Sequence, residues 1–126
     1  MSKFESSATK MTYQITSNIG CKDNDIIYVI ECTKCPTRPQ YVGKSIRCLQ
    51  TRGREHILAV DKGNFEGSSN SGKMYEHFTT HGHSSRDMLL FAIEAVHGDV
   101  MTTAVRERFW IQQLDTVRKG LNSNKT

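Results

Sequence analysis

The sequence predicts a small α/β (α+β) domain in which helices pack on a central three-stranded sheet. Three observations carry this. Two β-branched and aromatic runs flank a proline-containing turn at residues 32–39, and a third, nearly all apolar run follows at residues 87–96. Two longer segments show helical period. With 126 residues the chain can bury one compact core, and a two-domain enzyme is excluded.

Taken in order, residues 1–25 are polar and irregular, with one short strand expected at Tyr13–Thr16, and read as a flexible arm. Ile26–Cys32 is the strongest strand signal. Its side chains alternate, so Tyr28 shares a face with Ile26 and Ile30. Cys32–Pro39 is a turn, and Gln40–Gly43 returns as the second strand of a hairpin. Ile46–Val60 has helical period: Ile46, Leu49, Gly53, Ile57 and Val60 fall in a stripe about 80° wide, with Ser45 as the N-cap. Arg52 and His56, four apart, lie along one edge of that stripe. Gly53 inside it costs about 1 kcal/mol of helix propensity and suggests close approach of another backbone. Gly and Ser make 61–72 a loop. Lys73–Thr80 is a short helix ended by Gly82. Asp87–Val96 reads as a strand buried on both faces, His97–Asp99 as a turn, and Met101–Leu114 as the last long helix. Gly120–Asn122 closes the domain.

Composition narrows the class further. Apolar residues make up 37% and charged residues 24%; with a mean hydropathy of −0.52, this describes a globular chain. The longest apolar runs, Ile26–Ile30 and Met88–Ile93, are too short to cross a bilayer. Met1–Lys10 offers no apolar stretch of the kind an export signal needs, so an intracellular, reducing location is expected. A formal charge of +4 tilts the expected partner toward an anion.

Glu107 is the most informative residue. On the last helix it lies among Trp110, Leu114, Ile111 and Ala104 within about 120°, so a carboxylate sits in the apolar stripe. Such a group needs a cation, a donor or a metal. A salt bridge with Arg52 or Arg106 is one reading; a single-carboxylate Mg²⁺ site or an acid/base is the other. Cys32 and Cys35 form a C-x2-C pair, and His77 and His83 an H-x5-H pair, with 41 residues between. Two thiolates and two imidazoles make an ordinary tetrahedral zinc set that would clip separate elements together. A redox Cys-x-x-Cys would sit at a helix N-terminus, which Pro36 and Pro39 argue against; unligated cysteines are the third reading. His81 could replace either histidine, and Cys21 and Cys48 are expected to be free thiols. Tyr28 and Tyr41 bracket the cysteine turn; as strand tyrosines they read first as packing residues, but Arg52 and His56 would bring a fixed cation and a proton carrier to the same face. Lys44, Arg47, Arg52 and Arg54 make the first helix locally basic, as a phosphate-binding edge would be, although for Arg47 and Arg54 a solvated face is the favoured reading.

In order, Ile26-Ile27-Tyr28, Tyr41-Val42-Gly43, Arg52-x-x-x-His56, Glu107-x-Phe109-Trp110-Ile111 and Gly120-Leu121-Asn122 resemble the motifs of the GIY-YIG nuclease family, over residues 26–122. The inserted Cys-x-x-Cys, with Glu76-His77-x5-His83 after the first helix, is similar to the CCHH nuclease domain of Penelope-like retroelements. The resemblance implies metal-dependent hydrolysis of DNA phosphodiesters. Tyr28 would help deprotonate the attacking water, and Tyr41 would orient water or phosphate. Arg52 would hold the scissile phosphate, and His56 would assist proton transfer. Glu107 would hold one Mg²⁺ or Mn²⁺, and Asn122 would brace the site. It also implies products with 5′-phosphate and 3′-hydroxyl ends. Two departures stand out: Ile26 replaces the first-motif glycine, and residues 63–72 lack a second histidine found in some homing members.

The expectation is therefore a GIY-YIG-type domain over 26–126 with one structural Zn²⁺ on Cys32, Cys35, His77 and His83. It would nick DNA for insertion of a mobile element, act in the nucleus, and work fused or bound to a reverse transcriptase. Lys44, Arg47 and Arg54 are weaker DNA-binding candidates. The rival readings are a non-catalytic, zinc-stabilised nucleic-acid-binding module and a thiol redox protein.

Overall fold

The computed structural model describes residues 3–15, 19–20, 23–63, 71–80, 82–97 and 100–123. Cys21 and His81 lie outside these residues, as do Thr16, most of the glycine- and serine-rich loop and part of the turn at 97–99. The central sheet is antiparallel, in the order β4 (Gln40–Ser45), β3 (Ile26–Cys32), β5 (Met88–Ala95). β3 is the middle strand and is buried along its whole length, because it is covered on both faces. Ile27 and Val29 join Val42, Phe91, Ile93, Trp110, Ile111 and Leu114 in one core. Ile26, Tyr28, Ile30 and Cys32 join Tyr41, Val60, Met74, Tyr75 and Phe78 in the other. The period-two alternation of one strand thus divides the interior into two layers. α1 (Leu49–Lys62) and α2 (Gly72–Thr79) cover the Tyr28 side, and α3 (Val100–Leu114) covers the reverse.

Several boundaries differ from those expected. β4 runs on to Ser45, whose side chain accepts from the Arg47 N–H, and α1 starts at Leu49 with Cys48 at the N-cap. Ile46 is left exposed, because hairpin pairing Ile26↔Ser45 extends the strand past the point where helical period begins. Gly63, at φ +64°, ends α1 in the left-handed conformation and donates its N–H to the last carbonyls. Gly53 faces a side chain rather than a backbone: a Cβ there would lie 3.1 Å from Leu90 Cδ2. β5 lies at the sheet edge, so Leu89 is exposed and the strand is not buried on both faces as its composition suggested. A capped 3₁₀ turn, Ser85–Asp87, leads into it.

The first residues also depart from the loose arm expected. β1 (Lys3–Glu5) and β2 (Thr12–Gln14) pair as an antiparallel ribbon. Phe4 is buried against Tyr13, Phe91 and Trp110, with ring centroids 5.6–5.8 Å away. One phenylalanine in a polar stretch escapes periodicity arguments, yet burying it contributes about 1.5–3 kcal/mol. After α3, Asp115 turns the chain at φ +52° into α4 (Thr116–Lys119). Residues 120–122 then lie along the open edge of β4, where the Leu121 N–H donates to the Gln40 carbonyl at 2.8 Å. A Cβ on Gly120 would come within 2.5 Å of that same oxygen, so only glycine permits the approach.

Candidate functional site

Four of the expected residues meet beneath α1. β3 and β4 present Tyr28 and Tyr41 on one sheet face, as diagonal neighbours with centroids 6.3 Å apart. Opposite Tyr28, β5 carries one extra residue: Ile27 pairs with Glu94 but Tyr28 with Ala92. A bulge at that point twists the ladder beside a candidate catalytic side chain. Gly43 stands across from Tyr28, whose ring lies over it; a Cβ there would sit 2.5 Å from the phenol Cζ and hydroxyl oxygen. The glycine of the second motif is thus the space that the tyrosine of the first motif occupies.

One turn apart on α1, Arg52 and His56 face this pair. His56 is fully buried, with Nε2 2.6 Å from the Tyr28 hydroxyl and Nδ1 2.6 Å from the hydroxyl of Tyr75 on α2. Burial, aided by the nearby Arg52 charge, pulls His56 down to about 3, so the imidazole is neutral. Burial outweighs the same guanidinium at Tyr28, which is pushed up to about 12, and Tyr41 also rises well above the ordinary phenol range. Arg52 is the more open member of the group. Its guanidinium donates to Glu55 at 3.0 Å.

Glu107 reaches the site from α3. The expected partners are engaged elsewhere: Arg52 with Glu55, and Arg106 with Glu94, which also accepts from the Trp110 indole N–H. Lys44 meets Glu107 instead, at 3.3 Å. The Glu107 side chain is only 13% exposed, and burial raises its carboxyl despite Lys44. Its charge acts on both Tyr28 and Tyr41. A desolvated carboxylate with one long ion pair fits a hard divalent ion that takes one protein oxygen and draws its other ligands from water and phosphate. Of the other basic candidates, Arg47 pairs with Glu55 at 2.8 Å and Arg54 is exposed on α1. Asn122 is buried at the edge of β4; its Oδ1 accepts from the Val42 N–H at 2.8 Å and its Nδ2 donates to the Val42 carbonyl at 3.0 Å.

The second constellation lies at the far end of the hairpin. One ligand atom each from Cys32, Cys35, His77 and His83 falls within 4.8 Å of the others. Cys35 Sγ is 3.6 Å from His77 Nε2 and 3.2 Å from His83 Nε2. A thiolate–imidazole edge of tetrahedral Zn²⁺ with ordinary bond lengths is about 3.5 Å, between these two distances, so two thiols and two imidazoles gathered this closely form a donor set that suits zinc. His83 Nδ1 lies 3.0 Å from the Thr80 carbonyl, which fixes that nitrogen as the donor and leaves Nε2 for a metal. Burial and Cys32 push the Cys35 thiol up, a repulsion that a bound cation would relieve. The turn is no helix N-terminus, as a redox pair would require, and His77 and His83 complete the set. Cys48 is a free thiol at the start of α1.

Sequence reasoning missed Tyr75. Its signal was slight: a polar tip among Met74 and Phe78 on the buried stripe of α2. Also unforeseen is a cleft of about 700 Å³ beside Asn122, into which Lys73, Arg108 and Arg118 bring three cations.

No protein-family model matches this chain, and no curated protein matches it. Among solved structures, the catalytic domain of the homing endonuclease I-TevI is similar, with a TM-score of 0.66 and 24% identity over 81% of this chain and the whole of that one. This chain therefore shares the fold of that domain, and the α+β fold implied by the GIY-YIG resemblance is the fold of this chain.

Proposed function

We propose that this protein is a GIY-YIG-type, metal-dependent DNA endonuclease. The observation that carries the reading is the convergence of buried Tyr28, Tyr41 and His56 with half-buried Arg52, with Glu107 close enough to act on both tyrosines. Tyr28 is a neutral phenol and holds its proton until it acts. As water attacks phosphorus, the phenol takes the water's proton and passes its own to His56 Nε2; the imidazolium is transient and returns its proton through Tyr28 to solvent once the products leave. Arg52, the most open of the four, holds the scissile phosphate and its growing negative charge. Tyr41 orients water or phosphate. Phosphorus–oxygen cleavage releases the 3′ oxygen, which solvent protonates, and leaves a 5′-phosphate. A Mg²⁺ or Mn²⁺ held by Glu107 would supply neutralisation of phosphate and leaving oxygen. Asn122 braces the strand that carries Tyr41. Zn²⁺ on Cys32, Cys35, His77 and His83 is structural.

The cysteine–histidine set resembles that of Penelope-like retroelements, and on that likeness the activity is a nick that gives a reverse transcriptase its 3′-hydroxyl primer. Plasmid cleavage with Mg²⁺ or Mn²⁺ tests the enzyme. The wild type should relax supercoiled DNA, and Glu107→Ala and Tyr28→Phe should each lower the rate by about 100-fold or more. Equal cutting by Glu107→Ala overturns the metal assignment. Binding without cleavage under either ion leaves the zinc-stabilised nucleic-acid-binding module as the better reading.

A further inference from the structure

Tyr75 belongs to none of the motifs, yet its hydroxyl is as close to His56 as that of Tyr28, 2.6 Å on the opposite ring nitrogen. A buried neutral imidazole carries one N–H and one lone pair, so one of the two phenols must donate to it and the other must accept. Relief of Tyr28's proton requires the lone pair to be on Nε2. The N–H then lies on Nδ1, where the Tyr75 oxygen is placed to receive it at 2.6 Å.

We propose that Tyr75 is a positioning residue: its hydroxyl oxygen accepts the His56 Nδ1–H and holds the ring in the tautomer that leaves Nε2 open to Tyr28. Supporting groups hold the phenol in turn. Its ring is buried in the same core as Met74 and Phe78, and its backbone N–H donates to the Ser71 carbonyl at 3.0 Å. In the proton sequence above, Nε2 gains a proton and Nδ1 keeps its own. Tyr75 therefore stabilises the transient imidazolium through an unbroken hydrogen bond and loses no proton itself. The role rests on the nuclease reading, whereas the tautomer does not.

The test uses the full chain, zinc-loaded, with ¹⁵N-labelled histidine. Long-range ¹H–¹⁵N spectra should show His56 protonated at Nδ1 in the wild type, with the Nε2–H form populated in Tyr75→Phe, which keeps the ring but loses the oxygen. The same variant should lose roughly 10–100-fold in kcat on plasmid with its KM for DNA unchanged. An Nε2–H tautomer in the wild type overturns the proposal, and that spectrum suffices even where the variant does not fold. So does a folded Tyr75→Phe with unaltered tautomer. If the spectra change as expected while the wild type cuts no DNA, the tautomer assignment stands and the nuclease reading fails instead.

Discussion

Gly43 shows how a single residue can be demanded by a side chain on another strand. The sequence marks it only as a glycine in a short strand, a position that normally weakens a sheet. In the fold it clears the space that the Tyr28 ring fills, with 2.5 Å left for any Cβ. Gly43→Ala should therefore move Tyr28 or push β4 outward. It should cost about 1–3 kcal/mol in urea unfolding and displace the Tyr28–His56 hydrogen bond, visible as a changed His56 ¹⁵N signal. Glu107 is the opposite case. Its helical position already set a carboxylate among apolar neighbours, because burial on a helix follows from angle alone. Its partner did not follow from angle: Lys44 stands far off in sequence and comes near only through the packing of α3 against β4.

Among elements, α2 joins the two constellations. It carries Tyr75 toward His56, and two residues later it turns His77 toward the cysteines. A candidate zinc ligand and the proposed support of His56 thus ride on one short helix. Eight residues are too few to be stable alone, so tertiary contacts must hold α2 in place, and a zinc ion on His77 would add to them. Metal analysis of the purified protein should find about one zinc per chain. Removing it with a chelator should lower Tm by roughly 10 °C or more and slow cleavage, even with Mg²⁺ restored, although Glu107 lies outside the cysteine–histidine cluster. Sequence spacing pointed to Cys32, Cys35, His77 and His83 as a metal-binding set, and the fold brings these four together. It could not reveal that the same helix supports the tyrosines.

For the whole molecule, His56 is where three elements meet: α1 provides it, β3 supplies Tyr28 and α2 supplies Tyr75. The folded chain resists protonating it until about pH 3, whereas the unfolded chain takes that proton near 6.5. Above 6.5 both states are neutral there and the stability is intact. As pH falls from 6.5 toward 3 the unfolded state alone gains the proton, and on the order of 4 kcal/mol is lost. Urea unfolding across that range should show a steeper decline in the wild type than in His56→Gln; acid loss of zinc affects both and drops out of the difference.

What the sequence by itself determined was the local order: strand, turn, strand, helix and strand, a carboxylate in a helical stripe, and two pairs of candidate metal ligands. These follow from periodicity and side-chain chemistry over a few neighbouring residues. Tertiary structure alone decided which face each strand buried, which cation met Glu107, that Phe4 anchors the N-terminal ribbon, and that Tyr75 completes the hydrogen-bonded chain through His56. Each of those depends on groups brought together across distant stretches of chain, and only packing both faces of the central strand sets those distances.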